Sequence, residues 1–229
     1  MRIVGLDAAT TPRKTGLAWG RAVGDGVALE GALLPRSTEE LIQRLVELLD
    51  GPALLAIDAP LGWPQAAGRA LAAHRAGEVL QAEKDPFFRR LTDDDVAARF
   101  KKRPLEVGAN FIARTAFVTL EVLARVRASR PLPLAWAPGP GVIEVYPAAT
   151  LRALQVEHRG YKQDRSIRER LLQTLPVRDA DATVLDTDHV FDAMLCVLAG
   201  AHFLAGRCPP APDTERVRTE GWIWVAEPA

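Results

Sequence analysis

Two short apolar runs in this sequence each end in an aspartate. Residues 2–7 and 53–58 read as buried strands that finish at Asp7 and Asp58. In an open α/β sheet, ligands bind outside the carboxyl ends of the strands, where these side chains would point. Each Asp alone would also be explained by a turn or a helix cap. Asp58, however, is followed by Ala-Pro and not by a helix that it could cap. A ligand site and a purely local role therefore both stay open for these two residues.

A third acidic position is harder to explain by local structure. Segment 187–205 is apolar nearly all round, which predicts a buried helix. Asp188 lies near its start and would be explained as a cap or a partner of the helix dipole. Asp192, four residues later on the same face, lies too deep for that. It must therefore pair with a cation such as Arg, be neutralised, or bind a metal.

Glu144 interrupts another apolar strand, predicted over 141–146, although a solvent-facing position would also explain it. These acids together form an oxygen-rich set that suits Mg²⁺ or Mn²⁺, and no Cys or His residues have the spacing of a zinc site. Two such ions, about 3.5–4 Å apart, can clamp a phosphodiester for hydrolysis. The predicted catalytic residues are Asp7, Asp58, Asp188 and Asp192, and the predicted metal ligands are these four and Glu144.

The order of elements predicts how these acids are positioned. The chain begins with a strand, a hairpin at Gly24-Asp25-Gly26, a helix and a second parallel strand. A helical block, a further strand and more helices follow. The pattern predicts an α/β fold with a mixed five-stranded sheet flanked by helices. The 229 residues fit a single domain, 1–229, with a helical insertion over 65–140 between the fourth and fifth strands. Residues 221–225 alternate as an edge strand does.

Composition limits the possible classes of protein. Two cysteines are too few for a secreted disulfide framework, and no apolar run is long enough for a membrane span. We therefore expect a cytoplasmic protein that does not contact membranes.

Charge is unevenly distributed along the chain. The 29 basic and 29 acidic residues cancel, which argues against a cationic nucleic-acid-binding coat. Residues 65–140, however, contain 13 basic and 8 acidic residues, and a basic block beside an acidic centre suits binding of phosphates. A solvated face would also explain the basic run before Pro104. The candidate substrate-binding residues are Lys101, Lys102, Arg103, Asn110, Arg114 and Lys162.

Six collinear motifs resemble one known family. They are GLDAATTPRKTGLAWG, IDAPLGWP, VGANFIARTAF, IEVYPAATLRAL, the DHVFDA helix and EGWIWV, and they look like the family called domain of unknown function 429. Its members are described as predicted nucleases with an RNase H-like fold, and the late acidic helix is similar to that of RuvC-type junction resolvases. The resemblance implies an RNase H-like domain in which the same acids bind metal. Many such nucleases have Glu where this chain has Asp58.

We therefore expect a divalent-metal-dependent nuclease that hydrolyses phosphodiester bonds of DNA or RNA by a two-metal carboxylate mechanism. One alternative is a phosphotransferase or ATPase, because GLDAATTPRKTG also resembles the phosphate-binding hairpin of actin and sugar kinases. Another is a non-catalytic nucleic-acid-binding or regulatory protein of the same fold.

Overall fold

A mixed sheet of six strands forms the centre of the chain. The computed structural model describes residues 1–72, 74–108 and 110–228, with the backbone alone of Asn110. The strands are β1 (Arg2–Asp7), β2 (Gly16–Val23), β3 (Gly26–Leu33), β4 (Ala53–Asp58), β5 (Gly141–Glu144) and β6 (Val177–Arg178). Their order across the sheet is β5-β4-β1-β2-β3-β6. Strand β2 is antiparallel to β1 and β3, whereas β4 runs parallel to β1 and to β5.

Helices cover both faces of this sheet. They are α1 (Thr38–Leu48), α2 (Gln65–Leu71), α3 (Lys84–Phe88), α4 (Leu91–Phe100), α5 (Asn110–Arg127), α6 (Pro147–Ala153), α7 (Arg165–Thr174), α8 (Asp188–Leu204) and α9 (Glu215–Glu220). Short 3₁₀ helices span Pro12–Lys14 and Ala182–Leu185. The hairpin predicted at residues 24–26 joins β2 and β3, and Gly24 adopts the positive φ that its turn requires.

Side-chain alternation divides the core between two faces. Val4 and Leu6 of β1 pack with residues of α1 and α5 on one face. Ile3 packs on the other face against α8, which is buried along nearly its whole length. Because side chains at i and i+2 share a face, Ile3, Gly5 and Asp7 all lie on the side that α8 covers. Asp7, the last residue of β1, therefore lies at the end of the sheet face that α8 covers.

Helix α8 packs unusually close to the sheet at two glycines. A Cβ atom on Gly5 would lie against the Ala193 carbonyl oxygen, and one on Gly16 against the His189 carbonyl oxygen, both closer than real side chains approach. The backbone of α8 therefore lies directly on β1 and β2. This close packing brings the first two turns of α8 to the strand ends that carry the acids.

The sheet has six strands rather than the five expected. The additional strand, β6, has two residues that pair in parallel with Val27 and Ala28 of β3. Such a short strand has no alternation that a sequence pattern can reveal. The expected edge strand over 221–225 is reduced to an isolated bridge between Ile223 and Glu144.

The segment predicted as a helical insertion, 65–140, contains α2 to α5. Residues 131–140 are not helical, and Leu134 forms a bridge with Val142 of β5. Within residues 1–72, 74–108 and 110–228, no helix combines the length and apolarity needed to cross a bilayer.

We predict that Gly5→Ala lowers the free energy of unfolding by at least about 2 kcal/mol, because the added methyl group must push α8 off the sheet. Gly68→Ala is the matched control: a Cβ there meets nothing within 4 Å, and Ala favours the helix by about 0.5–1 kcal/mol. Urea unfolding of both variants measures the difference. Equal stability of Gly5→Ala and the unchanged protein would show that the close packing is not required.

Candidate metal centre

The register of the two central parallel strands places Asp7 beside Asp58. They are paired residues at the carboxyl ends of β1 and β4, and paired residues of parallel strands point to the same face. That face is the one covered by α8. Chain direction and register thus bring together two acids that are 51 residues apart in the sequence.

Asp192 approaches the same point from α8. The Thr187 hydroxyl oxygen caps this helix by accepting a hydrogen bond from the Val190 amide, which places Asp192 in the second turn over the strand ends. Carboxylate oxygens of Asp7, Asp58 and Asp192 lie within 4.8 Å of one another. Asp192 is 1% exposed and Asp7 is 8% exposed, so the cluster sits at the rim of the core.

Burial disfavours the charged forms of all three acids, and repulsion from neighbouring carboxylates adds to this effect. Burial, with repulsion from Asp192, raises the pKa of Asp7 to about 6, although a hydrogen bond from His189 opposes the change. Burial and the charges of Asp7 and Asp192 hold the pKa of Asp58 well above its ordinary value. Burial also raises the pKa of Asp192. A bound cation would offset these costs.

Two neighbouring residues in one loop contact Asp192. Tyr161 Oη donates a hydrogen bond of 2.7 Å to Asp192 Oδ1, and Lys162 Nζ lies 2.7 Å from Asp192 Oδ2. Burial lowers the pKa of Lys162, but the attraction of Asp192 outweighs it, so the net shift is upward and the ammonium group stays charged. The cation paired with Asp192 is therefore Lys162, and not the Arg that the sequence suggested as an alternative to metal.

His189 is the partner of Asp7. Its Nδ1 lies 2.8 Å from Asp7 Oδ2, and this hydrogen bond raises the pKa of the half-buried imidazole. Asp58 differs from its neighbours, since within the described chain no side chain donates a hydrogen bond to its carboxylate. Its oxygens remain available to a ligand.

The donor set fits a hard divalent cation. Asp7, Asp58 and Asp192 each offer carboxylate oxygen, which Mg²⁺ and Mn²⁺ prefer. Asp188 and Glu144, also predicted as ligands, are not part of this group. Asp188 is half-buried at the first position of α8, and its charge adds to the upward pKa shift of Asp192.

Glu144 belongs to a different, buried ion-pair network. Arg90 donates to both of its carboxylate oxygens at 2.8 Å and also to Asp93 Oδ1 at 2.9 Å. Leu61 donates its amide to Glu144 as well. Glu144 is 4% exposed, so the solvent-facing alternative for this strand position is wrong. The Arg90 pair joins the start of α4 to the end of β5.

A cavity of about 390 Å³ opens above the acids. Asp7 and Asp58 lie on its floor, and Lys102, Arg103 and Lys162 line its wall. Three of the predicted substrate-binding residues are thus brought beside the cluster.

Of the other three substrate-binding candidates, Lys101 and Arg114 do not line the cavity. Lys101 is exposed and donates its Nζ to the Ala98 carbonyl oxygen at the end of α4. Arg114 is exposed on α5, where Ile112 and Thr115 face the cavity. The side chain of Asn110 lies outside the described part of the chain.

Comparison with known proteins places the chain in a family. The model of the family described as protein of unknown function DUF429 matches residues 5–216, which is nearly the whole chain. The chain belongs to this family. Searches of curated proteins and of solved structures gave no significant match. The family description names no activity, so conclusions about function must rest on the geometry of the site.

Sequence reasoning missed several residues of the site, among them two that contact the acids and two that line the cavity. Tyr161 and His189 contact the acids directly, whereas Arg90 and Tyr146 line the cavity. Both direct contacts have a sequence signal that could have found them, because each is adjacent to a predicted residue, Lys162 or Asp188. Arg90 and Tyr146 have no such signal, since their roles depend on packing between distant segments.

We predict that Asp58→Asn raises the free energy of unfolding at pH 7 in the presence of a chelator. The pKa of Asp58 is higher in the folded protein than in the unfolded chain, so ionisation destabilises the fold. This penalty vanishes below the unfolded pKa of about 4, where both forms are neutral. Urea unfolding at both pH values should therefore show a gain at pH 7 and little change near pH 4.

Asp50→Asn is the control for this experiment. Asp50 is exposed at the opposite end of the sheet, just before β4, and should change stability little at either pH. A loss of stability in Asp58→Asn at pH 7 would contradict the repulsion inferred for the cluster.

Proposed function

We propose that this protein is a divalent-metal-dependent hydrolase of nucleic-acid phosphodiester bonds. The observation that supports the proposal best is the convergence of Asp7, Asp58 and Asp192 within 4.8 Å beneath a cavity with a basic wall. Negative groups that bind metal and positive groups that bind phosphate occur here side by side. Phosphodiester hydrolysis needs this combination.

Each group has a distinct role in the proposed reaction. Asp7, Asp58 and Asp192 would hold the metal, with His189 and Tyr161 orienting two of them through hydrogen bonds. A divalent ion bound there supplies Lewis acidity, which lowers the pKa of water and stabilises charge on a phosphate oxygen. Lys162 stays protonated beside Asp192 and supplies a positive charge on the cavity wall.

A nucleic-acid substrate is favoured over a small phosphate ester by the surroundings of the cavity. Lys102 and Arg103 add positive charge to the cavity, which Ile112 and Thr115 of α5 also line. Phe111 and Phe117 on this helix are 77% and 61% exposed. Exposed aromatic rings provide surfaces on which unpaired bases stack.

The strand arrangement supports an RNase H-like fold as part of this proposal. That resemblance depends on three features: the hairpin that follows β1, the strand β4 parallel to β1, and the acid on the late helix α8. The segment 65–140, as a helical insertion within a single domain, would then provide the basic wall.

We predict that Asp7→Asn and Asp192→Asn each reduce metal-dependent cleavage by at least about 100-fold, since each loses a ligand of the ion that stabilises transition-state charge. Labelled DNA and RNA oligonucleotides incubated with Mn²⁺, Mg²⁺ or chelator measure the rate. Asp50→Asn, exposed and remote from the cavity, should cleave at the unchanged rate. Cleavage that persists in both cluster variants would refute the proposed site.

Measurements of ATP turnover and of oligonucleotide binding with the same variants separate the two alternatives. ATP turnover without nucleic acid, lost in Asp7→Asn, would favour the phosphotransferase. Oligonucleotide binding that needs no metal, without cleavage, would favour the non-catalytic binding protein.

We predict that Lys102→Ala and Arg103→Ala weaken oligonucleotide binding and each reduce the slope of log affinity against log salt by about one phosphate contact. Both residues line the cavity, whereas Lys84 in the same basic segment does not. Lys84→Ala should therefore leave the slope unchanged. Fluorescence anisotropy at several salt concentrations, with Ca²⁺ in place of Mg²⁺, measures binding. Equal slopes for all three variants would exclude this wall as the phosphate-binding surface.

A further inference from the structure

The carboxylates of the metal centre provide charge for one divalent ion rather than two. In the described chain, the group that could hold a metal contains three acids. Glu144 and Asp188, the other expected ligands, lie outside this group, and Glu144 is paired with the buried Arg90 guanidinium instead. The three negative charges are reduced by one through Lys162, which lies 2.7 Å from Asp192. A single divalent ion then balances the charges of these three acids and Lys162, whereas two ions would leave this group with a positive excess at a buried site.

Lys162 is held in its place from several directions. The buried guanidinium of Arg168 donates to the carbonyl oxygen of Tyr161 at 2.7 Å and to that of Lys162 at 3.4 Å. It also donates to the Leu185 carbonyl oxygen, which lies just before α8. The loop bearing Lys162 is therefore fixed to the segment that leads into the helix of Asp192.

The side chain of Lys162 is fixed at its other end as well. Its Nζ lies 5.9 Å from the centre of the Tyr161 ring, and Tyr161 itself is bonded to Asp192. The side chain of Lys162 nevertheless remains 47% exposed and lines the cavity. A fixed ammonium group is thus presented both to an acid of the cluster and to the space proposed for substrate.

Resting on the function proposed above, we propose that Lys162 takes the place of a second metal ion. The protein then binds one divalent ion per chain, and the Lys162 ammonium group supplies the other positive charge to the phosphate. Lysine binds phosphate as a compact point charge, which suits this role. The two-metal mechanism expected from the sequence is replaced by one ion and one lysine.

Titration calorimetry with Mn²⁺ alone, joined to electron paramagnetic resonance, tests the number of ions. We expect one Mn²⁺ per chain and a spectrum without coupling between two ions. Two coupled Mn²⁺ ions would overturn the inference while leaving metal-dependent hydrolysis intact. Absence of both Mn²⁺ binding and cleavage would instead overturn the proposed function itself.

Lys162→Met tests the lysine directly. Removal of its charge leaves the cluster more negative, so Mn²⁺ should bind about tenfold more tightly or better, or a second ion should enter. Oligonucleotide cleavage should fall by at least about 100-fold despite tighter metal binding. Unchanged or weaker Mn²⁺ binding, or undiminished cleavage with one ion, would overturn the inference.

Two further variants control for position and for folding. Lys102→Met removes an ammonium group from the same cavity wall without contact to the acids, and should change Mn²⁺ affinity by less than about twofold. Lys162→Arg retains the charge, so it should bind one ion with nearly unchanged affinity even if Lys162→Met does not fold. Tighter Mn²⁺ binding by Lys162→Arg than by the unchanged protein would contradict the charge argument.

Discussion

The concentration of three carboxylates at one buried edge of the sheet is the constraint on which the site depends. Burial and repulsion raise the pKa values of Asp7, Asp58 and Asp192 together, so the folded chain without a bound cation carries an electrostatic cost. Lys162 and His189 reduce this cost on two of the acids. Asp58 has no such partner among the side chains that the structure describes. Because the negative charge of the cluster is only partly offset by these partners, the cluster is well suited to bind a cation.

The apolar interior supplies the stability that opposes this cost. Helix α8 is buried on almost every side and lies directly on β1 and β2, where Gly5 and Gly16 leave room for its backbone. The same packing that buries its apolar side chains forces Asp192 toward the strand ends. A second anchor, the buried Arg90–Glu144 pair, fixes α4 to β5, and both of its residues line the cavity. Two buried contacts therefore hold the elements that carry the residues of the site.

Local patterns were sufficient for much of the fold. Apolar runs predicted the strands ending at Asp7 and Asp58, and a turn cluster predicted the β2–β3 hairpin, because each depends on neighbouring residues. Strand β6 was not predicted, since its two residues are too few for a pattern and pair with a strand about 150 residues earlier in the chain. Glu144 was predicted as a ligand because its strand gave no sign of Arg90, which lies 54 residues away.

The sequence by itself determined which acids interrupt apolar elements, and hence that Asp7, Asp58 and Asp192 require an explanation. It also determined the family, through motifs that span the chain. Tertiary structure alone decided which acids meet, because strand register and the packing of α8 set their distances. It likewise decided the partners of Asp192 and Glu144. Charge pairing acts over a few ångströms in space, and separation along the chain carries no information about that distance.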